Sequence, residues 1–134
     1  MSESAKETFR AMMEQVWNQK SPGAIEEYIS GDYVGRNPDG DITGLDGFRQ
    51  LHATYTSAFP DCNVTIEQLL SDGDWVTFHY VWHGTHDGEL MGVAPSGNSV
   101  AVHGMGVAQV RDGKVVEDRV VWDTLSLMQQ IGAA

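Results

Sequence analysis

Residues 99–122, SVAVHGMGVAQVRDGKVVEDRVVW, decide how this chain folds. Small or apolar side chains recur at every second position from Val102 through Gly104 and Gly106 to Ala108, the period of a half-buried strand. Arg111-Asp112-Gly113 interrupts the pattern with a strong reversal signal. The segment therefore predicts a hairpin of two long strands, 99–110 and 114–122, forming the wall of a small-molecule pocket. Two registers are open. A two-residue turn at Asp112-Gly113 sets Gly106 opposite Arg119. A three-residue loop with Gly113 left-handed sets Gly104 opposite Val120, Gly106 opposite Asp118 and Val102 opposite Trp122. The second is preferred, because it gathers Val102, Gly104, Gly106, Ala108, Val116, Val120 and Trp122 on one face and sends Gln109, Glu117 and Arg119 to the other. Asp118 then stands as the lone carboxylate on an apolar wall, where desolvation raises a carboxyl pKa and suits it to acid–base work. A solvated strand end is the plain alternative. Asp123 needs no function, since it can cap the helix that follows, Leu125, Leu127, Met128 and Ile131, with Gly132 as its stop.

Upstream of the hairpin the same period of two predicts a strand at 75–86, where Val76, Phe78, Tyr80 and Trp82 alternate with Thr77, His79, Val81 and His83. Residues 62–70 read as a further strand, Asp72-Gly73 as a turn, and Gly92 to Asn98 as a loop. Earlier still the period is helical. Ser4 to Glu7 reads as a capping box, and Phe9, Met12, Met13, Val16 and Trp17 make one apolar stripe. Ser21-Pro22 restarts a short helix carrying Ile25, Tyr28 and Ile29, ended by Gly31, and a short extended piece covers Tyr33 to Asn37. Thr43 caps a third helix with Leu45, Phe48, Leu51, Tyr55 and Phe59 on its apolar side, stopped by Pro60. Helices first and antiparallel strands after make one α+β domain over residues 1–134.

Several chemistries are excluded by pattern. His79, His83 and His86 imitate a metal spacing, but on a strand four residues span about 13 Å, against zinc–nitrogen bonds of about 2 Å. Oxygen-bearing residues at 37, 39, 41 and 43 imitate a calcium loop, yet Ile42 stands where the sharp turn needs Gly and Phe48 where a bidentate Glu belongs. No metal is expected. One cysteine, Cys62, forms no internal disulfide and reads as a buried, inert thiol. With 8 Lys+Arg against 19 Asp+Glu, the net charge of −11 disfavours nucleic acid and anionic membrane as partners. No apolar run approaches the ~20 residues of a membrane helix, and the opening MSESAKETF lacks a signal-peptide pattern. A cytoplasmic protein is expected.

Phe59-Pro60-Asp61, Gly84-Thr85-His86-Asp87-Gly88-Glu89, Gly92-Val93-Ala94-Pro95-Ser96-Gly97, Asp112-Gly113-Lys114-Val115-Val116-Glu117, and Asp123 through Gln129-Gln130-Ile131-Gly132 together resemble the SnoaL-like polyketide cyclases of the NTF2-like superfamily. The resemblance implies a cone-shaped barrel, with N-terminal helices packed on a strongly curved, mainly antiparallel sheet. It also implies a homodimer that works without metal or organic cofactor. In the family's characterised cyclases an aspartate on the last strand is the acid/base of an intramolecular aldol closure, assisted by a histidine on the preceding strand and an asparagine near the first. Laid on that pattern, this chain has Val120 at the aspartate position and Gly106 at the histidine position. The asparagine position falls near Gly35, with Asn37 close by. Asp118, two residues from Val120 on the same face and about 7 Å away, is the nearby substitute.

Three functions follow as expectations. One is a cyclase or isomerase in which Asp118 exchanges a proton beside a carbonyl of a small apolar compound, with His79 first among possible partners. Trp82, Trp122, Val120, Gly106, Tyr33, Asn37 and Phe59 would line its pocket. The second is a module that binds such a ligand unchanged. The third is an interaction protein with a filled cone, against which a cavity of about 300 Å³ or more would count.

Overall fold

The computed structural model describes residues 2–134. Helix α1 (Ser2–Met12) continues without a break as a π-helical stretch, Met13–Asn18. A short α2 (Ala24–Tyr28) leads into β1 (Ile29–Arg36), and β2 (Ile42–Thr43) into α3 (Gly44–Ala58). Four long strands follow, β3 (Asn63–Asp72), β4 (Trp75–Thr85), β5 (Ser99–Arg111) and β6 (Lys114–Trp122), and α4 (Thr124–Gln130) closes the chain. The strands form one curved sheet in the order β2-β1-β6-β5-β4-β3, antiparallel throughout except where β1 runs parallel to β6. Among the described residues no helix is long and apolar enough to cross a membrane.

The helical stripe packs as its spacing predicts, with Phe9, Met12, Met13 and Val16 all buried against the sheet. Phe9 stacks on Phe78 with ring centroids 4.4 Å apart. The π-turn lets Asn18 reach the edge strand. Its Oδ1 accepts from the Val64 N–H at 2.6 Å, and its Nδ2 donates to the Val64 carbonyl at 3.1 Å. An edge strand otherwise leaves such groups open to another chain. Cys62 is buried, and desolvation pushes its thiol up.

Three local expectations give way. The helix already runs at Ser2, so Ser4 lies inside it and is no cap. Ser21-Pro22 forms a turn rather than a helix start, and α2 begins only after Gly23, whose φ is 81°. Gly31 lies within β1 instead of ending a helix, because Ile29 before it and Val34 to Arg36 after it pair with β6 and that ladder overrides the helical period.

The decisive hairpin turns on Asp112-Gly113 with both φ angles positive (51° and 74°), so Arg111 pairs with Lys114 in the two-residue form. The preferred three-residue loop is therefore corrected. Neither expected register extends along the strands, since Val116 is an extra residue in β6: Val110 pairs with Val115, but Gln109 pairs with Glu117. Beyond that bulge Ala108 faces Asp118, Gly106 faces Val120 and Gly104 faces Trp122. This differs from the preferred register by two residues, and a shift of two preserves which side chains share a face. Asp118, Val120 and Trp122 consequently stay on the inner side with Gly104, Gly106 and Ala108, while Val115 takes the buried place expected of Val116.

A candidate acid–base site in the cone

A cavity of about 110 Å³ lies between the sheet's inner face and helices α1 and α3. Its walls are almost wholly aromatic and aliphatic, and three of the four tryptophans, Trp17, Trp82 and Trp122, line it. The volume is below the value of about 300 Å³ that would count against a filled cone.

Asp118 is the carboxylate on that wall. The Tyr33 hydroxyl lies 3.0 Å and 2.9 Å from its two oxygens. Burial raises the Asp118 carboxyl from its ordinary range to about 7, the Tyr33 hydrogen bond pulls it down, and the neighbouring Glu117 charge pushes it up again. Tyr33 in turn is held far above the usual phenol range, by burial first and then by the Asp118 charge. The pair exists because β1 and β6 run side by side with Gly35 opposite Asp118. A Cβ at Gly35 would stand 2.2 Å from the Tyr33 hydroxyl oxygen, so glycine there lets the Tyr33 ring lie back along its own strand toward the carboxylate.

A second tyrosine–carboxylate pair stands beside the cavity. Tyr55, on α3 and lining the cavity, donates its hydroxyl to Asp39. Asp39 belongs to the turn expected at 37–41, where its N–H donates to Asn37 Oδ1 at 2.8 Å and Gly40 N–H to the Asn37 carbonyl at 3.0 Å. Asn37 reaches the cavity wall as well. Tyr55 also makes edge contacts with Trp82 and Trp122, at centroid distances of 5.9 Å and 5.7 Å.

Of the residues singled out from sequence, Asp118, Trp82, Trp122, Val120, Tyr33 and Asn37 meet in this cavity, and three others do not. His79 points from the outer face, where its Nε2 lies 2.9 Å from Nδ1 of His103, so it is not a partner of Asp118. Its place in the alternation opposite Phe78 and Tyr80 explains this. Gly106 leaves no open space, because the Phe78 ring fills the room its missing Cβ leaves (2.9 Å). Phe59 is wholly buried beside the cavity in a second core, edge-on to Trp82 at 4.7 Å.

His86 is also fully buried. Its Nδ1 accepts from the Ser96 N–H at 3.1 Å and lies 2.9 Å from the Ser96 hydroxyl, which ties down the loop after β4. Among the described residues no three His, Cys, Asp or Glu side chains converge on a point where a metal ion could bind.

The family model described as SnoaL-like polyketide cyclase matches residues 7–131. Nogalonic acid methyl ester cyclase of Streptomyces nogalater is 29% identical over 128 residues, which cover 90% of this chain and 92% of that protein. Among solved structures, AclR from Streptomyces galilaeus superposes with a TM-score of 0.88 at 27% identity, covering 100% of this chain and 88% of that one. A SnoaL-like protein from Jannaschia sp. CCS1 reaches a TM-score of 0.90 at 24% identity, covering 99% and 94%.

Proposed function

The chain belongs to the SnoaL-like polyketide cyclase family, and from that premise we propose that it is a cofactor-independent enzyme of the cyclase or isomerase kind, acting on a small apolar carbonyl compound with Asp118 as acid and base. The observation that carries this reading is a carboxyl held near neutrality, at about 7, on the wall of an apolar cavity. A group whose pKa lies near the working pH exchanges protons most effectively. As carboxylate, Asp118 takes a proton from the carbon beside the carbonyl, and the C–H electron pair moves into the enolate. The enolate carbon then bonds to a second carbonyl carbon, whose π pair becomes an alkoxide that takes the proton back from Asp118. In an isomerisation Asp118 instead returns that one proton to another carbon of the conjugated enolate. Tyr33 steadies the carboxylate form through its hydrogen bond.

The family position of the acid is Val120, so in this reading the proton-transfer group stands one inward-facing place along β6, and the substrate sits displaced by the same step. A non-catalytic binding module is the second reading, favoured by Val120 itself on the cavity wall. The test uses acetophenone, a single-ring ketone, in D2O. Wild-type protein should exchange its methyl protons as read by NMR, and Asp118→Asn should slow exchange at least ~10²-fold. Equal exchange in both proteins, or none in either, contradicts the acid–base reading; bound and unexchanged acetophenone would favour the binding module.

We also read the protein as a homodimer. The outer face of the sheet carries Met105 and Val121 directly paired and 59% and 70% exposed, with Trp75, Leu70 and Val107 exposed on the same sheet. Sedimentation should give a dimer for the wild type and a monomer for a Met105→Asp, Val121→Asp double variant; a wild-type monomer would contradict it.

A further inference from the structure

Of the three tyrosines on the cavity wall, two have committed hydroxyls. Tyr33 donates to Asp118 and Tyr55 to Asp39. Tyr80 also lines the cavity and is only 8% exposed, yet among the described residues no hydrogen bond joins its hydroxyl to another protein group. The hydroxyl is not among the buried polar atoms left without a partner, so it is accessible, and Tyr80 lines the cavity, where a ligand oxygen can accept from it.

Its position is built. Tyr80 pairs with Gly104 across the ladder, and Gly104 pairs with Trp122. A Cβ at Gly104 would stand 2.4 Å from the Tyr80 hydroxyl oxygen, so the glycine lets the ring lie flat across β5 toward β6. Asp118 and Tyr55 line the same cavity, close enough for the Asp118 charge to act on the Tyr80 hydroxyl, though no hydrogen bond joins Tyr80 to either. A ligand oxygen inside the cavity can accept from Tyr80 while the neighbouring carbon faces Asp118.

We infer that Tyr80 is the hydrogen-bond donor to the substrate's carbonyl oxygen, and that the part of the substrate enclosed here is that carbonyl group with no more than the edge of one ring. The first half rests on the acid–base reading of Asp118 only for its catalytic consequence; the hydrogen bond itself does not. The limit comes from size, since a dry cavity that accepts benzene measures about 150 Å³ and this one, about 110 Å³, is smaller. When Asp118 removes the proton, negative charge moves onto the oxygen that Tyr80 already faces, and a donor held in place among apolar walls stabilises that charge without reorganising.

The test is infrared spectroscopy of acetophenone labelled with 13C at the carbonyl, with proton exchange measured on the same samples. Bound to wild-type protein, the carbonyl stretch should move to lower frequency than in hexane, and in Tyr80→Phe it should return toward the hexane value. Exchange in Tyr80→Phe should fall ~10²-fold, with the pH midpoint unmoved because Tyr80 makes no hydrogen bond to Asp118. An unshifted stretch in the wild type overturns the inference without any variant. Failure of acetophenone to bind overturns the ligand class. Wild-type exchange in Tyr80→Phe beside an inactive Asp118→Asn removes Tyr80 and leaves the Asp118 reading standing. A shifted stretch with no exchange in the wild type keeps the Tyr80 bond and removes the acid–base reading instead.

Discussion

Asp118 concentrates two opposed effects in one side chain, burial that favours its neutral form and the Tyr33 hydroxyl that favours its charged form. Burial is the larger, so the carboxyl is raised. Removing the hydroxyl with Tyr33→Phe should raise it further, and the midpoint of the exchange–pH profile should move above that of the wild type. A midpoint that falls or stays would show that the bond does not favour the carboxylate. Stability should respond with a definite sign. Between the ordinary aspartate value near 4 and about 7 the folded protein holds a proton that the unfolded chain has lost, so stability should fall as pH rises through that window. Asp118→Asn should flatten this slope in chemical denaturation. Asp118 was visible in sequence, because one carboxylate at an inward-facing position of an apolar strand stands out. Its partner was not, since the Tyr33 bond depends on parallel pairing of β1 with β6 between residues far apart in the chain. Nor was Tyr80, which alternation placed on the inner face but which only its missing partner distinguishes from core.

Among the elements, the β5–β6 hairpin shows why a sequence can give the face of a strand and miss its register. Alternation sets the face, and any even shift leaves it intact; the single extra residue, Val116, converts a two-residue turn into a pairing that no turn rule alone provides. The glycines of this wall follow from the same packing. At Gly106 a methyl group would meet the Arg119 carbonyl at 2.3 Å, a backbone atom that cannot step aside. Gly106→Ala should therefore destabilise by about 1–3 kcal/mol, read as a lowered denaturation midpoint with unchanged m-value, and an unchanged midpoint would contradict the register. The expected cap of α4 is present, with Asp123 Oδ1 accepting from the Ser126 N–H at 3.0 Å. Asp123→Ala should cost ~1 kcal/mol and leave ligand binding unaltered. The helix itself was legible from Leu127, Met128 and Ile131, but Leu125 is exposed where the stripe placed it inside.

Over the whole molecule, composition and period were enough for the α+β class, because a helical stripe followed by strands of period two has few ways to bury both apolar faces. The size of the enclosed space was not legible, since it depends on how far the rings of Phe78 and Tyr80 spread across Gly106 and Gly104. Those two strands thus set both the shape of the cone and what remains of its interior. The central claim is that this interior holds one carboxyl whose ionisation is delayed to neutrality. The most direct measurement is a 13C NMR titration of the Asp118 carboxyl, assigned by its loss in Asp118→Asn. The account predicts a midpoint near 7, far above an exposed aspartate. A midpoint near 4 would mean that water solvates the carboxylate freely, and would contradict the site.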